Sequence, residues 1–248
     1  MNVSLYQAAA AMNAHARWQE LITQNLATGF VPGFRKQEVS FSAVQAGLDP
    51  TAANTGDPRY FIPAATASTN FSPGEMRSSG NPMDFAIEGP GFFEVQLPNG
   101  NRAYTRDGEL HPNAQGQLVT KQGYTVLGDG GPVQLDPNSS APVTVSATGE
   151  VSQGDQVRGR IRLVEFNQPG SLTAIGEGYF LAEQPAAQPV NATASSIRQG
   201  FLEASNASPT AEMASLITSM RMFEANQKVL QSQDERMGQV ISDLGTPS

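Results

Sequence analysis

The sequence predicts an α+β chain: N- and C-terminal helices that pair as a coiled coil, with a central all-β module. Three observations carry that prediction. Apolar residues recur with a seven-residue period at both ends of the 248-residue chain. From residue 84 to about 200, short apolar runs alternate with Gly, Pro and Asn clusters. Charged residues make up only 15%, beside 24 glycines and 17 prolines, the composition of turn-rich β structure. Residues 1–36 and 201–248 then form one discontinuous helical domain, 37–80 an extended linker and 81–200 a β-rich domain.

The C-terminal helix has the sharpest boundaries. Ser208 supplies a capping oxygen before Pro209, which needs no N–H in the first turn. Gly245, Thr246 and Pro247 stop it. Between them, Met213, Leu216, Met220, Phe223, Gln227, Leu230, Asp234, Met237, Ile241 and Leu244 step by three and four, a narrow seam for another helix. Such a rod is roughly 50 Å long, too long to hide inside a domain of this size.

Residues 2–28 supply a matching candidate. Leu5, Ala8, Met12, His15, Gln19, Ile22 and Leu26 repeat the same steps, and Gly29 ends them. His15, Gln19, Gln227 and Asp234 interrupt the two seams. They are either surface drift or polar groups that fix register at a cost in stability. Arg17, Arg35 and Lys36 against Glu20 leave the first arm basic, whereas the last arm is acidic, a balance that favours pairing of the two. Solvated helix faces with no preference explain it equally well.

Prolines 32, 50, 58, 63 and 73 punctuate an Ala-, Thr-, Ser- and Asn-rich stretch that reads as linker, loop or short edge strands. Beyond it, Phe92–Leu97 and Arg102–Arg106 flank Asn99-Gly100, a strong hairpin signal because both turn residues accept positive φ. Further strands are expected at Gln117–Thr120, Tyr124–Leu127, Val133–Leu135, Val143–Val145 and Arg160–Phe166, the last with one wet face.

A formal net charge of −8 argues against nucleic acid as the main partner. Without cysteine there is no disulfide or thiolate chemistry, and two histidines make a multi-histidine metal site a poor fit. No apolar run approaches the ~20 residues of a membrane-spanning helix, and the N-terminus lacks the pattern of a cleaved secretory signal. Phosphate-loop, nucleophile-elbow and paired-histidine zinc motifs are absent from the sequence. The Gly128-Asp129-Gly130-Gly131 cluster reads as a turn. Asp84 with Glu88, or Asp107 with Glu109, could form a glycosidase couple, but turn formers and wet strand faces explain them more simply. His111 reads as a loop residue, and Trp18 as a shielded arm residue or an interface anchor. No cofactor, metal or catalytic residue is expected.

Particular strings say more. Asn25-Leu26-Ala27 followed by Gly33-Phe34-Arg35-Lys36, and the run Asn81-Pro82-Met83-Asp84-Phe85-Ala86-Ile87-Glu88-Gly89-Pro90-Gly91-Phe92-Phe93, resemble signatures of the bacterial flagellar rod and hook (axial) proteins. So do Tyr104-Thr105-Arg106-Asp107-Gly108, Gly116–Thr120 with Gly123-Tyr124, Gly200-Phe201-Leu202-Glu203-Ala204-Ser205-Asn206, and Arg221-Met222-Phe223-Glu224-Ala225-Asn226. The strings cover both ends and the centre in the family's order. Length, Gly130-Gly131-Pro132-Val133 and the compact 149–166 region are most similar to proximal-rod members, with distal-rod members second. Two departures stand out: Thr28-Gly29-Phe30-Val31-Pro32 replaces the family's N-x-N-T-x, and Ala207 stands where valine is usual.

The resemblance implies a non-enzymatic structural subunit of the basal-body rod. Its terminal helices would pair in an inner tube, with the β domain outside, and would carry torque across the periplasm. Its partners would be copies of itself, other rod proteins and the flagellar type III export apparatus, with no cleaved signal, no membrane insertion and no nucleic acid. The rival reading is a periplasmic β module that binds or hydrolyses cell-wall glycan and oligomerises through its helices.

Overall fold

The computed structural model describes residues 3–46 and 60–245. Its elements are helix α1 (Val3–Thr28), then β1 (Gln37–Ala46), β2 (Tyr60–Thr69), β3 (Met76–Ser78), β4 (Phe85–Glu88), β5 (Phe92–Gln96), β6 (Arg102–Thr105) and β7 (Leu110–Pro112). Next come β8 (Leu118–Thr120), β9 (Thr125–Gly128), β10 (Gly131–Pro132), β11 (Val143–Val145), β12 (Glu150–Gln153) and β13 (Gln156–Arg160). The chain closes with β14 (Leu163–Phe166), β15 (Thr173–Gly176), β16 (Tyr179–Leu181), β17 (Pro189–Asn191), β18 (Ser196–Gln199), β19 (Phe201–Glu203) and helix α2 (Pro209–Gly245). The fold is α+β, with terminal helices and a central β-rich module.

The chain forms two compact units, one of residues 1–27, 37–68 and 209–248, the other of 28–36 and 69–208. In the helical unit, hydrogen bonds join α1 and α2 among the described residues. Asn25 Nδ2 donates to Glu212 Oε2 at 3.3 Å and Ser219 Oγ to the His15 carbonyl at 3.4 Å. As α2 advances from 212 to 219, its partners retreat from 25 to 15, so the helices run antiparallel. The stretch read as linker, loop or short edge strands supplies β1 and β2, which pair as a two-stranded sheet. Asn25 caps β1: its Oδ1 accepts from the Gln37 N–H at 2.9 Å and its Nδ2 donates to the Gln37 carbonyl at 2.8 Å. Phe41 of β1 packs against Trp18 and His15 of α1, with ring centroids 5.6 Å from each. Trp18 is thus half-buried in the arm itself.

In the β unit the main sheet runs β15-β16-β6-β5-β9-β8-β7. β5 is its hub. One edge pairs with β6, and the other divides between β14 at Phe92 and Phe93 and β9 at Val95 and Gln96. Both faces of this strand are covered, which explains its nearly unbroken apolar sequence. Phe93 and Val95 join one core with Phe85, Leu118 and Val126, while Phe92 joins a second with Tyr104, Val164, Phe166 and Phe180. Glu94 shares the Phe92 face, and Arg102 at 3.0 Å and Arg162 at 3.3 Å neutralise it. The Asn99-Gly100 hairpin forms with a longer loop than the two residues suggest. Gln96 pairs with Arg102, and the N–H of Leu97 meets the carbonyl of Asn101 at 2.9 Å.

Two expected strands change. Arg160–Phe166 is not continuous: Ile161 leaves β13 to bridge Gly128, and the chain restarts as β14. Val133–Leu135 is no strand; Gln134 makes a single bridge to Gln117 while Val133 and Leu135 fill the core. Both residues are there for burial, not for a ladder.

Candidate functional site

Several distant segments of the β unit meet at the side chain of Glu203. It lies at the end of β19, whose pairing with β3 sets Glu203 opposite Met76. Oε1 accepts from Arg35 Nη2 at 2.7 Å and from the Gly74 N–H at 2.7 Å. Oε2 accepts from Arg106 Nη1 at 3.2 Å. Its backbone carbonyl takes the Gly33 N–H at 2.7 Å. All three ionised side chains are at most 5% exposed. A buried carboxylate is tolerable only when fully hydrogen-bonded and paired, and this one is.

The glycines around it are there for close approach. Gly33 adopts φ +66°, and a Cβ on it would overlap the backbone of Arg106. A Cβ on Gly74 would overlap the carbonyl oxygen of Ala204. Arg106 continues through the cluster: Nη2 donates to the Gly89 carbonyl at 2.7 Å, and its guanidinium lies 5.0 Å from the Phe92 ring. Burial is the main effect on Arg106 and lowers its pKa to about 10, against the attraction of Glu203. Asn206 stitches the neighbouring loops. Its Oδ1 accepts from the Lys36 N–H at 2.7 Å, and its Nδ2 donates to the carbonyls of Asn70 and Ser72, both at 2.9 Å.

The structure therefore gathers Gly33, Gly89, Arg106, Glu203 and Asn206 of the motif strings into one junction, with Phe34 buried in the same segment. A second group lies beside it. The Asp84 carbonyl accepts from the Gly200 N–H at 2.7 Å, and the Gly108 carbonyl from the Phe85 N–H at 3.0 Å. Asn81 Nδ2 donates to Asp84 Oδ1 at 2.9 Å, and the Pro82 carbonyl accepts from Gln199 Nε2 at 2.7 Å. Phe92 and Tyr104 meet Phe166 edge to face, and Gly91 is buried next to the Ser195 side chain. Ser205 Oγ caps its own turn by accepting from the Ala207 N–H at 3.0 Å. Asp107, adjacent to Arg106, is buried too. Burial, then the charges of Glu109 and Asp84, raise its pKa to about 6 against the opposing Glu109 N–H bond and Lys121.

The remaining motif residues belong to the helical unit. Asn25 is buried, Leu26 and Asn226 are half-buried, and Ala27 and Glu224 are exposed. Of the seam residues on α1, Ile22 is buried and Met12, His15 and Gln19 are half-buried. On α2, Leu216, Phe223 and Leu230 are half-buried, whereas Gln227 and Asp234 are exposed and Met213, Met220 and Met237 are about half-exposed. The more buried stripe is Glu212, Leu216, Ser219, Phe223, Asn226, Leu230 and Gln233, again stepping by four and three. It shares every other position with the expected seam and is rotated by one residue at the rest. Leu5, Ile241 and Leu244 lie outside the residues whose side chains are described.

Arg35, Gly74, Asn70, Glu212 and Ser219 were not singled out from sequence as site residues. Arg35 stands in the Gly33–Lys36 string and among the cations of the basic first arm, and Glu212 among the acids of the last arm, but neither signal marks a buried contact. Asp84 and Glu88, the first pair named for the glycan reading, are engaged separately. Asp84 is engaged by Asn81, and Glu88 pairs at the surface with Arg198 at 3.5 Å. Among the described residues no group of side chains could hold a metal ion, and no helix is long and apolar enough to cross a membrane.

Residues 86–153 match the family described as the flagellar hook protein FlgE/F/G D1 domain, and 198–244 the flagellar basal body rod FlgEFG protein C-terminal family. The chain is 35% identical to the flagellar basal-body rod protein FlgF of Caulobacter vibrioides, over 99% of both chains. It is 33% identical to the FlgG rod protein of Borreliella burgdorferi, over 95% of this chain and 96% of that one. It is 32% identical to FlgF of Escherichia coli, over 96% of each.

Proposed function

The chain belongs to the flagellar basal-body rod protein family, a structural subunit of the basal body, and we infer from that premise that it is a proximal-rod subunit transmitting torque across the periplasm. Its α1 and α2 pair as a coiled coil with those of neighbouring subunits in an inner tube formed by residues 1–36 and 201–248. Residues 81–200 lie outside it. The subunit is exported by the flagellar type III apparatus without a cleaved signal, acts as no enzyme, and assembles with copies of itself and with other rod proteins.

One observation carries the assembly reading: α2 keeps polar side chains on its buried stripe and leaves Met213, Ile217 and Met220 more than half exposed. A helix with apolar groups left exposed has a face available for another helix. Among the described side chains, the seam predicted from sequence takes Met213, Met220 and Met237 from the exposed face and Leu216, Phe223 and Leu230 from the buried stripe. Proximal placement rests on the 35% identity to a FlgF chain, close to the 33% to a FlgG chain.

Deleting residues 209–248 should leave the β unit folded, with its near-ultraviolet signal retained, while abolishing rod assembly and motility. Normal motility in the deletion strain would overturn the reading. The position of the subunit in image reconstructions of isolated basal bodies decides proximal against distal rod.

A further inference from the structure

Four of the chain's eight methionines, Met213, Met220, Met222 and Met237, fall within the 37 residues of α2. Each is about half exposed, and among the described residues of this helix only Ile217 and Val229 join them as exposed large apolar groups. Met213, Ile217 and Met220 step by four and three, so they lie within about 60° of one another around the helix axis. The outward stripe of α2 is therefore built mainly of thioethers. The β unit differs. Its two cores hold Phe, Tyr, Leu, Ile, Val and Ala, and its methionines, Met76 and Met83, are half-buried. The chain has no cysteine, so methionine supplies all of its sulfur, and among the described residues the most exposed of that sulfur lies on α2. An exposed thioether is open to two-electron oxidation, and the product is a polar, chiral group that disrupts methionine-rich interfaces.

We propose that Met213 and Met220 form an oxidative modification site that sets whether the outward stripe of α2 can be buried in an assembly. The oxidant is a peroxide. The sulfur lone pair attacks one peroxide oxygen, forming a sulfur–oxygen bond as the oxygen–oxygen bond breaks. With hydrogen peroxide, the transferred hydroxyl gives its proton to the departing hydroxide, which leaves as water. Sulfur is oxidised by two electrons and the peroxide is reduced by two. Ile217 has no sulfur, so the new polar groups arrive at both ends of the stripe with an apolar residue between them. A helix packing on that stripe must then desolvate two sulfoxide oxygens in an apolar seam. Sulfoxide reductases restore the thioether, so the change is reversible. The effect on assembly rests on the rod-subunit reading; the selective oxidation of α2 does not.

The test has two arms. In the first, the purified full chain meets a short pulse of dilute hydrogen peroxide, and its methionines are mapped by mass spectrometry. Met213 and Met220 are expected to oxidise roughly fivefold faster than Met76 and Met83 of the same molecules. Equal rates overturn the site. In the second arm, cells building flagella carry either the natural chain or the pair Met213→Leu with Met220→Leu, and both receive sublethal peroxide. The natural chain recovered in isolated basal bodies is expected to fall roughly tenfold, and the leucine pair to stay at its untreated level. Met213→Gln with Met220→Gln, which places a polar group where the sulfoxide would be, should stay low without peroxide. The leucine pair decides the case even where the glutamine pair misfolds. Equal losses in the two strains, or no loss in either, overturn the control of assembly and leave the rod reading standing. Absence of the natural chain from untreated basal bodies overturns the rod reading, while the rates of the first arm still judge the site.

Discussion

The helical unit and the β unit bury polar groups in different ways. Between α1 and α2 the contacts among the described residues include a side-chain amide to a carboxylate, Asn25 to Glu212, and a hydroxyl to a carbonyl, Ser219 to His15. In the β unit, one carboxylate is locked by two guanidiniums and a backbone N–H, all desolvated. The first kind of contact is inexpensive to break, each bond being worth about 1 kcal/mol net. The second is expensive to break, because removing one partner strands buried charge. The helices also leave apolar groups outside, whereas the β unit assembles two apolar cores. One unit is held by contacts that break cheaply and the other by a clamp that does not.

Glu203→Gln should test that contrast most severely. Its near-identical shape keeps the packing but leaves Arg35 and Arg106 without a counter-charge. The expected loss is about 3–5 kcal/mol in urea unfolding of the β unit. A loss below 1 kcal/mol would show that the junction is no stiffer than the helix contacts.

Asp107 gives the next effect. Its pKa in the folded chain, about 6, lies above its ordinary value of 3.8. The folded state therefore binds the proton more tightly, and the stabilisation is fully present below pH 3.8 and lost as pH rises through 6. Asp107→Asn, which keeps an acceptor for the Glu109 N–H, should add on the order of 2 kcal/mol at pH 8 and almost nothing at pH 4. Thermal melts at the two pH values read it directly. An equal change at both would assign the effect to packing.

In the helical unit, Asn25→Ala removes hydrogen bonds to Gln37 and Glu212. It should cost about 1–2 kcal/mol, seen as faster amide exchange in α1 with the β unit unaffected. Smallest of all, Gln227→Leu with Asp234→Leu should change the stability of the isolated chain by less than about 0.5 kcal/mol, since both residues are exposed. In the assembled rod the same pair should strengthen association and loosen register. Unchanged assembly would make these two positions ordinary surface.

The same contrast explains what could be read from sequence. Helix existence was legible because its signals are local: Pro209 begins α2 and Gly245 ends it, as expected. Which stripe faces inward was less legible. Met213 and Glu212 are adjacent, and a seven-residue pattern of apolar residues points to Met213 although Glu212 is the more buried. The hairpin at Asn99-Gly100 was legible from turn chemistry, although its loop length was not. The stretch holding β1 and β2 reads from sequence only as linker, loop or short edge strands, because the alternation of Val39, Phe41 and Ala43 in β1 is short and β2 carries Pro63 among small residues. The motif strings marked Gly33, Arg106 and Glu203 as important, but nothing in them indicates that a carboxylate at 203 meets guanidiniums at 35 and 106.

Those separations have a kinetic consequence. Glu203 closes loops of 168 residues to Arg35, 129 to Gly74 and 97 to Arg106. Contacts so distant along the chain demand the loss of much loop entropy before they return anything, and they form slowly. During synthesis the two arginines emerge long before their carboxylate, so the junction closes only after most of the polypeptide has left the ribosome. Until then the β unit lacks its central charge clamp, and the chain stays open to unfolding for almost the whole time it is being made.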